Sequence, residues 1–177
     1  CGGGAPLIGP SSPGNCMIQS VHRAVAAALL MLAAASPVAA EAADPRADAA
    51  AFVQPDNGAR AAALTALLDR EGLPWTLETF AGGNPRTGPL EGANVVVTLG
   101  AGERELLLTA HYDAVRLADG RLADGVVDNA ASVVALVRAA GALRDANLRH
   151  RVRVIFFDQE ELGLIGAYKW IEAHGVA

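Results

Sequence analysis

Two stretches, ELLLTAHYD at 105–113 and VRVIFFDQEE at 152–161, decide how this chain folds. Each is a short apolar run that ends in groups able to ligate or to exchange protons. His111 and Asp113 follow the first run; Asp158, Glu160 and Glu161 follow the second. Apolar runs of this length bounded by polar residues read as strands buried on both faces. Between them, Asn129 to Leu148 places Val133, Val137, Ala140 and Arg144 at helical spacing, and Leu136 and Leu143 widen the apolar face. Strand, helix, strand is the βαβ unit, which predicts parallel strands joined by a right-handed crossover.

Working outward, Asp56 is placed to cap a helix whose apolar face is Ala63, Leu64, Leu67 and Leu68 and which stops at Gly72, with Pro74 barring continuation. Trp75 to Phe80 alternates like a strand, Gly82 to Gly92 reads as a loop with two prolines, and Asn94 to Leu99 holds three successive valines. These are expected to be two neighbouring strands. Gly163 to Ala173, with Ile165, Tyr168 and Ile171 on one side, reads as a closing helix. The fold class that follows is α/β: a three-layer α/β/α sandwich with a mixed, largely parallel central sheet.

The chain has 177 residues, of which 52% are hydrophobic and only 5% aromatic, a balance set by heavy alanine use and an apolar leader. Met17 opens that leader. Arg23 precedes an apolar run from Ala24 to Ala35, and the small residues Val38-Ala39-Ala40 form a cleavage site, with cutting expected before Glu41. The run is too short to cross a bilayer, which takes about 20 residues. Residues 1–16 are therefore read as upstream sequence, 17–40 as a signal peptide, and 41–177 as part of a single secreted or periplasmic domain with no membrane span. Cys1 and Cys16 both precede Glu41, so neither disulfides nor a thiolate can serve that domain. From Glu41 onward 13 basic residues face 19 acidic ones, without a basic stripe, which argues against a nucleic-acid partner.

In open α/β sheets, sites form outside the carboxyl ends of the strands. His111, Asp113, Glu160 and Glu161 are placed there, and Asp128 lies just before the crossover helix. Taken singly, Asp128 could cap that helix, His111 could be a core histidine, and the glutamates could favour a helix dipole. Together, one imidazole and several carboxylates at one edge are typical ligands for zinc, and a shared carboxylate permits two ions.

The segments AHYDAV (110–115), DGVVDNAAS (124–132) and VIFFDQEELGLIGA (154–167) are similar to the co-catalytic zinc aminopeptidases of peptidase family M28. The resemblance covers most of residues 57–175 in element order. It implies that His111 ligates a first zinc ion, Asp128 bridges two, and Glu161 ligates the second. Glu160 becomes the general base, and Asp113 the group that orients the ring of His111. It further implies a cis peptide after Asp128 and a peptide or protein substrate trimmed from its N-terminus. Val126 and Val127 are bulkier than the family's residues before the bridging carboxylate. The family's further Asp and His ligands lie well downstream of the glutamate pair, so the chain is expected to be an N-terminal part of a catalytic domain, incomplete at its C-terminus and inactive alone. His150 and His174 are expected to be structural or solvent-exposed. Two other readings share the scaffold: a glutaminyl-cyclase-like enzyme with one zinc, and a non-catalytic ectodomain. Glu-Glu-Leu-Gly-Leu favours the peptidase over the cyclase. The four polar groups kept at one edge argue against a decayed site.

Overall fold

A computed structural model of the chain describes Gly2 and residues 44–175; the signal-peptide assignment and both cysteines lie outside them. The element order is α1 (Pro45–Ala50), α2 (Asn57–Arg70), β1 (Trp75–Asn84), β2 (Gly88–Leu99), β3 (Glu105–His111), a kinked turn over Val126–Ala130, α3 (Ala131–Leu143), β4 (Arg151–Phe157) and α4 (Ile165–His174). The four strands form one sheet in the order β1-β2-β4-β3. β3 and β4 are parallel and are joined through α3, as the βαβ pattern predicts. The sheet is mixed, and within the described residues its parallel share is one pairing of three. β2 runs against both of its neighbours, so the share is smaller than the βαβ reading alone implies.

Alternation along the strands explains the layers. Val95, Val97, Val154 and Phe156 are fully buried on one face, where they pack with Leu64 and Leu68 of α2 and Val133 and Val137 of α3. Val96 and Ile155, pointing the other way, pack against Trp170 of α4. Successive strand side chains leave on opposite faces, so unbroken runs such as Val95-Val96-Val97 require helices on both sides. One stretch of described residues, 126–143, is long and apolar enough to cross a membrane. Asp128 and Asn129 have non-helical dihedrals, however, so the continuous helix is the 13 residues of α3, with its valines turned into the core.

The structure revises three local expectations. The supposed loop 82–92 is the tip of a hairpin: β1 and β2 pair from Trp75–Val97 to Asn84–Gly88. Asn84 makes this possible by accepting the backbone N–H groups of Arg86 and Thr87 on its Oδ1, an Asx turn that reverses the chain around Pro85. The crossover helix is shorter at both ends than 129–148, because Asp128 and Asn129 have non-helical dihedrals and the chain leaves the helix after Leu143. α1 was not anticipated, although its start is marked by Asp44, whose carboxylate accepts the N–H of Arg46, and by Pro45 in the first turn. The capped helix α2 begins where expected, with Asp56 Oδ1 accepting from Ala59 N at 2.8 Å.

Removing the ring of Phe156, fully buried in β4, leaves a cavity between sheet and helices. Phe156→Ala is expected to lower stability by about 3–5 kcal/mol in urea unfolding. Leu77→Ala, at a side chain 51% exposed on β1, is expected to stay within about 0.5 kcal/mol of the parent.

Candidate metal centre

The last rung of the parallel ladder pairs His111 with Phe157, and Tyr112 N–H continues it by donating to Phe157 O at 3.0 Å. Both strands therefore end level, and the residues after them emerge side by side. After Phe157 the chain turns sharply. Gln159, with φ of 57°, takes a left-handed conformation rare for a residue with a side chain. Gly163 and Leu164 N–H groups both fold back onto Glu160 O. Gly166 lies so close to Asp158 that a Cβ there would stand 2.2 Å from the Asp158 carbonyl oxygen, so the segment carrying Glu160 and Glu161 is pressed against the start of α4.

The structure brings together all five residues singled out from the sequence. Single donor atoms of His111, Glu160 and Glu161 lie within 4.8 Å of one another. His111 Nε2 is 3.1 Å from Asp128 Oδ1 and 3.8 Å from Glu160 Oε2. The other ring nitrogen, Nδ1, faces Asp113 Oδ1 at 3.3 Å, off the axis of a good hydrogen bond, so both atoms are buried without an aligned partner. Asp113 Oδ2 accepts Glu161 N–H at 3.1 Å. Asp113 thus stands between the imidazole and the glutamate segment, hydrogen-bonded to the latter. Asp128 caps nothing: the turn over 126–130 and α3 both start without a side-chain capping bond, and its side chain is 75% exposed. The Asp128–Asn129 peptide is cis, as the resemblance implied.

Electrostatics favours a cation at this point. Burial alone would push the His111 imidazole down, but Asp113, Glu160 and Asp128 outweigh it and raise it to about 9. Burial, followed by repulsion from Asp128, raises the Glu161 carboxyl above its ordinary value. Two ligands at about 2.0–2.1 Å from a tetrahedral ion stand about 3.3 Å apart, close to the 3.1 Å between His111 Nε2 and Asp128 Oδ1. The donor set, an imidazole backed by a carboxylate and facing carboxylate oxygens, fits zinc. Two clefts adjoin the cluster. One, of about 410 Å³, is lined by Val115, Asp124, Val127, Asp128 and Glu161. The other, of about 630 Å³, lies between Asp113 and Gln159 and the apolar side chains of Leu90, Leu122 and Leu162.

His174, by contrast, lies away from the cluster: it stacks on Trp170 and meets Glu78 Oε2 at 2.9 Å. His150 lies before the opening residue of β4, at the opposite end of the strand from the cluster. Neither joins the donor set. Sequence reasoning passed over Arg60, whose fully buried guanidinium contacts the backbone beside His111.

The raised His111 pKa makes a signed prediction for the protein held in chelator. A group whose folded pKa of about 9 exceeds its ordinary 6.5 contributes stability below 6.5, and that contribution is lost as pH rises through 9. The melting-temperature advantage of the parent over His111→Gln should be largest at pH 6 and gone by about pH 9.5. A gap independent of pH would show that the carboxylates do not hold the proton on this ring.

The sequence model of peptidase family M28 matches residues 94–176. Among solved structures, a leucine aminopeptidase precursor from Bacteroides thetaiotaomicron is 19% identical, with a TM-score of 0.61 over 74% of this chain and 55% of its own. A Zn-dependent exopeptidase from Parabacteroides distasonis is 23% identical, with a TM-score of 0.54 over 66% of this chain and 44% of its own. Tannerella forsythia glutaminyl cyclase is 24% identical, with a TM-score of 0.53 over 64% and 44%. The chain thus spans about half the length of these structures, and at such identities they establish the fold. No curated protein matches the chain.

Proposed function

We propose, from the premise that residues 94–176 belong to peptidase family M28, that the protein carrying this chain is a secreted or periplasmic zinc metallopeptidase that removes N-terminal residues from peptides. The observation that supports this best is the gathering of donor atoms of His111, Glu160 and Glu161 at the carboxyl edge of the sheet, with Asp128 beside the imidazole Nε2 and Asp113 behind the ring. In this reading His111 and Asp128 hold one zinc ion, and Asp128 and Glu161 a second. Bound there, zinc supplies Lewis acidity that acidifies a water and polarises the scissile carbonyl.

The chain's own residues do the rest. Asp113 fixes the orientation and basicity of the His111 ring. Glu160, partly exposed and 3.8 Å from His111 Nε2, is within reach of an attacking water without being needed as a ligand. It takes the water's proton and returns it to the leaving amine. The cleft beside Asp113, lined by leucines together with Arg86, Arg116 and Gln159, offers room for a substrate side chain. Counting donors, each ion receives two ligands from this chain, fewer than the three usual for catalytic zinc. Residues 41–177 on their own are therefore expected to bind zinc weakly and to be inactive.

In the whole protein, Glu160→Gln is expected to lower turnover by about 10²- to 10⁴-fold with zinc content unchanged, and Asp128→Ala to lose zinc. Zinc retained in Asp128→Ala would remove the bridging role. Loss of zinc in Glu160→Gln with retention in Glu161→Gln would exchange the two glutamates. Conversion of glutaminyl peptides to pyroglutamyl products, with no release of N-terminal residues, would replace peptidase by cyclase.

A further inference from the structure

Arg60 is the largest fully buried side chain among the described residues. A buried charge is ordinarily met by an opposite charge, yet every hydrogen bond from this guanidinium goes to a backbone carbonyl. Nε donates to Tyr112 O at 2.5 Å. Nη1 donates to Phe52 O and, at 3.2 Å, to Asp124 O, and Nη2 donates to Gly125 O at 3.3 Å. The acceptors come from three separate stretches of chain. Tyr112 lies between His111 and Asp113. Asp124 and Gly125 open the turn that presents Asp128, and Gly125 O also accepts Ala130 N–H at 3.0 Å, closing that turn. The Phe52 ring, 5.8 Å from the guanidinium carbon, covers its outer side.

Only arginine offers several N–H donors in one rigid plane; a lysine ammonium on the same stem has no planar fork with which to reach three stretches at once. Gly125 is fitted to the clasp, since a Cβ there would stand 2.8 Å from Arg60 Nη2 and 3.0 Å from the Ala114 Cβ, and its φ is +59°. We infer that Arg60 is a positioning residue of the metal centre: by clasping the backbone at Tyr112 and at Asp124-Gly125, it sets the spacing between His111 and Asp128. This rests on the zinc reading above, but the clasp can also be observed without metal.

The test uses the whole protein with three variants of the clasp and one control. Arg60→Met removes the donors, Arg60→Lys keeps charge without the fork, and Gly125→Ala drives a methyl into the guanidinium. Leu64→Ala, one turn along the same helix and fully buried, destabilises without touching the clasp. Arg60→Met and Arg60→Lys should each weaken zinc binding by about 10- to 100-fold, as loss of groups supporting ligands does. Leu64→Ala should lower the melting temperature and leave the zinc Kd unchanged. A parental zinc Kd in Arg60→Lys, or equal weakening in Leu64→Ala at equal loss of melting temperature, overturns the proposal. If Arg60→Met fails to fold, Arg60→Lys and Gly125→Ala carry the comparison. If the parent binds no zinc, the zinc reading falls and amide hydrogen exchange decides the clasp. Arg60→Lys must then speed exchange at 112–114 and 126–130 while leaving β4 protected, and unchanged exchange in both segments overturns it.

Discussion

The parallel pairing of β3 with β4, held to its last rung at His111 and Phe157, is the constraint on which the rest of this structure depends. Parallel strands end on the same side of a sheet. The polar residues that follow the two apolar runs must therefore emerge together, whatever their separation in sequence. The crossover helix α3 is the connection that makes parallel pairing possible, and its own start returns the chain to the same edge, where Asp128 meets the imidazole at 3.1 Å. The apolar character of both runs, which buries them between helices, is thus also what fixes the site. A register slip of one residue would send Val154 and Phe156 to the face now occupied by Ile155, exchanging the core and separating His111 from the glutamate segment.

Much of this was legible, and the parts that were not have identifiable physical reasons. Periodicity exposed β3, β4 and the core of α3, because their burial imposes a pattern on the side chains. The same pattern with a capping Asp56 and a stopping Gly72 gave α2 nearly to the residue. The hairpin tip reads as a loop in the sequence because its strand residues, Ala81-Gly82-Gly83 and Gly88-Pro89-Leu90, lack strand propensity. They are paired because the Asx turn at Asn84 and the register with β2 dictate it. The kink at 126–130 interrupts an apolar stretch that composition alone cannot divide. Arg60 left no signal either: in the sequence it is one charge in an alanine-rich helix, and only the arrival of Tyr112, Asp124 and Gly125, more than fifty residues away, gives its burial a reason.

The site gathers several local costs in one place. Gln159 and Leu164 take left-handed backbone conformations, His111 Nδ1 and Asp113 Oδ1 are buried without aligned partners, and burial together with the neighbouring Asp128 charge opposes ionisation of Glu161. Departures of this kind concentrate where function overrides stability. The core beneath, with valines on both faces of β2 and β4, compensates. A divalent cation would remove the repulsion at its source, which gives the cluster its chemical sense and makes Asp113 and Arg60 its supports: one holds the ring from behind, and the other holds the backbone on either side.

X-ray absorption at the zinc edge of the zinc-loaded whole protein tests the central claim most directly, since it reports the ligands rather than the consequences of removing them. The account predicts a first shell of nitrogen and oxygen at about 2.0–2.1 Å, with an imidazole scattering signature that decreases in His111→Ala and no sulfur. A sulfur shell at about 2.3 Å, or an imidazole signal untouched by His111→Ala, would contradict it.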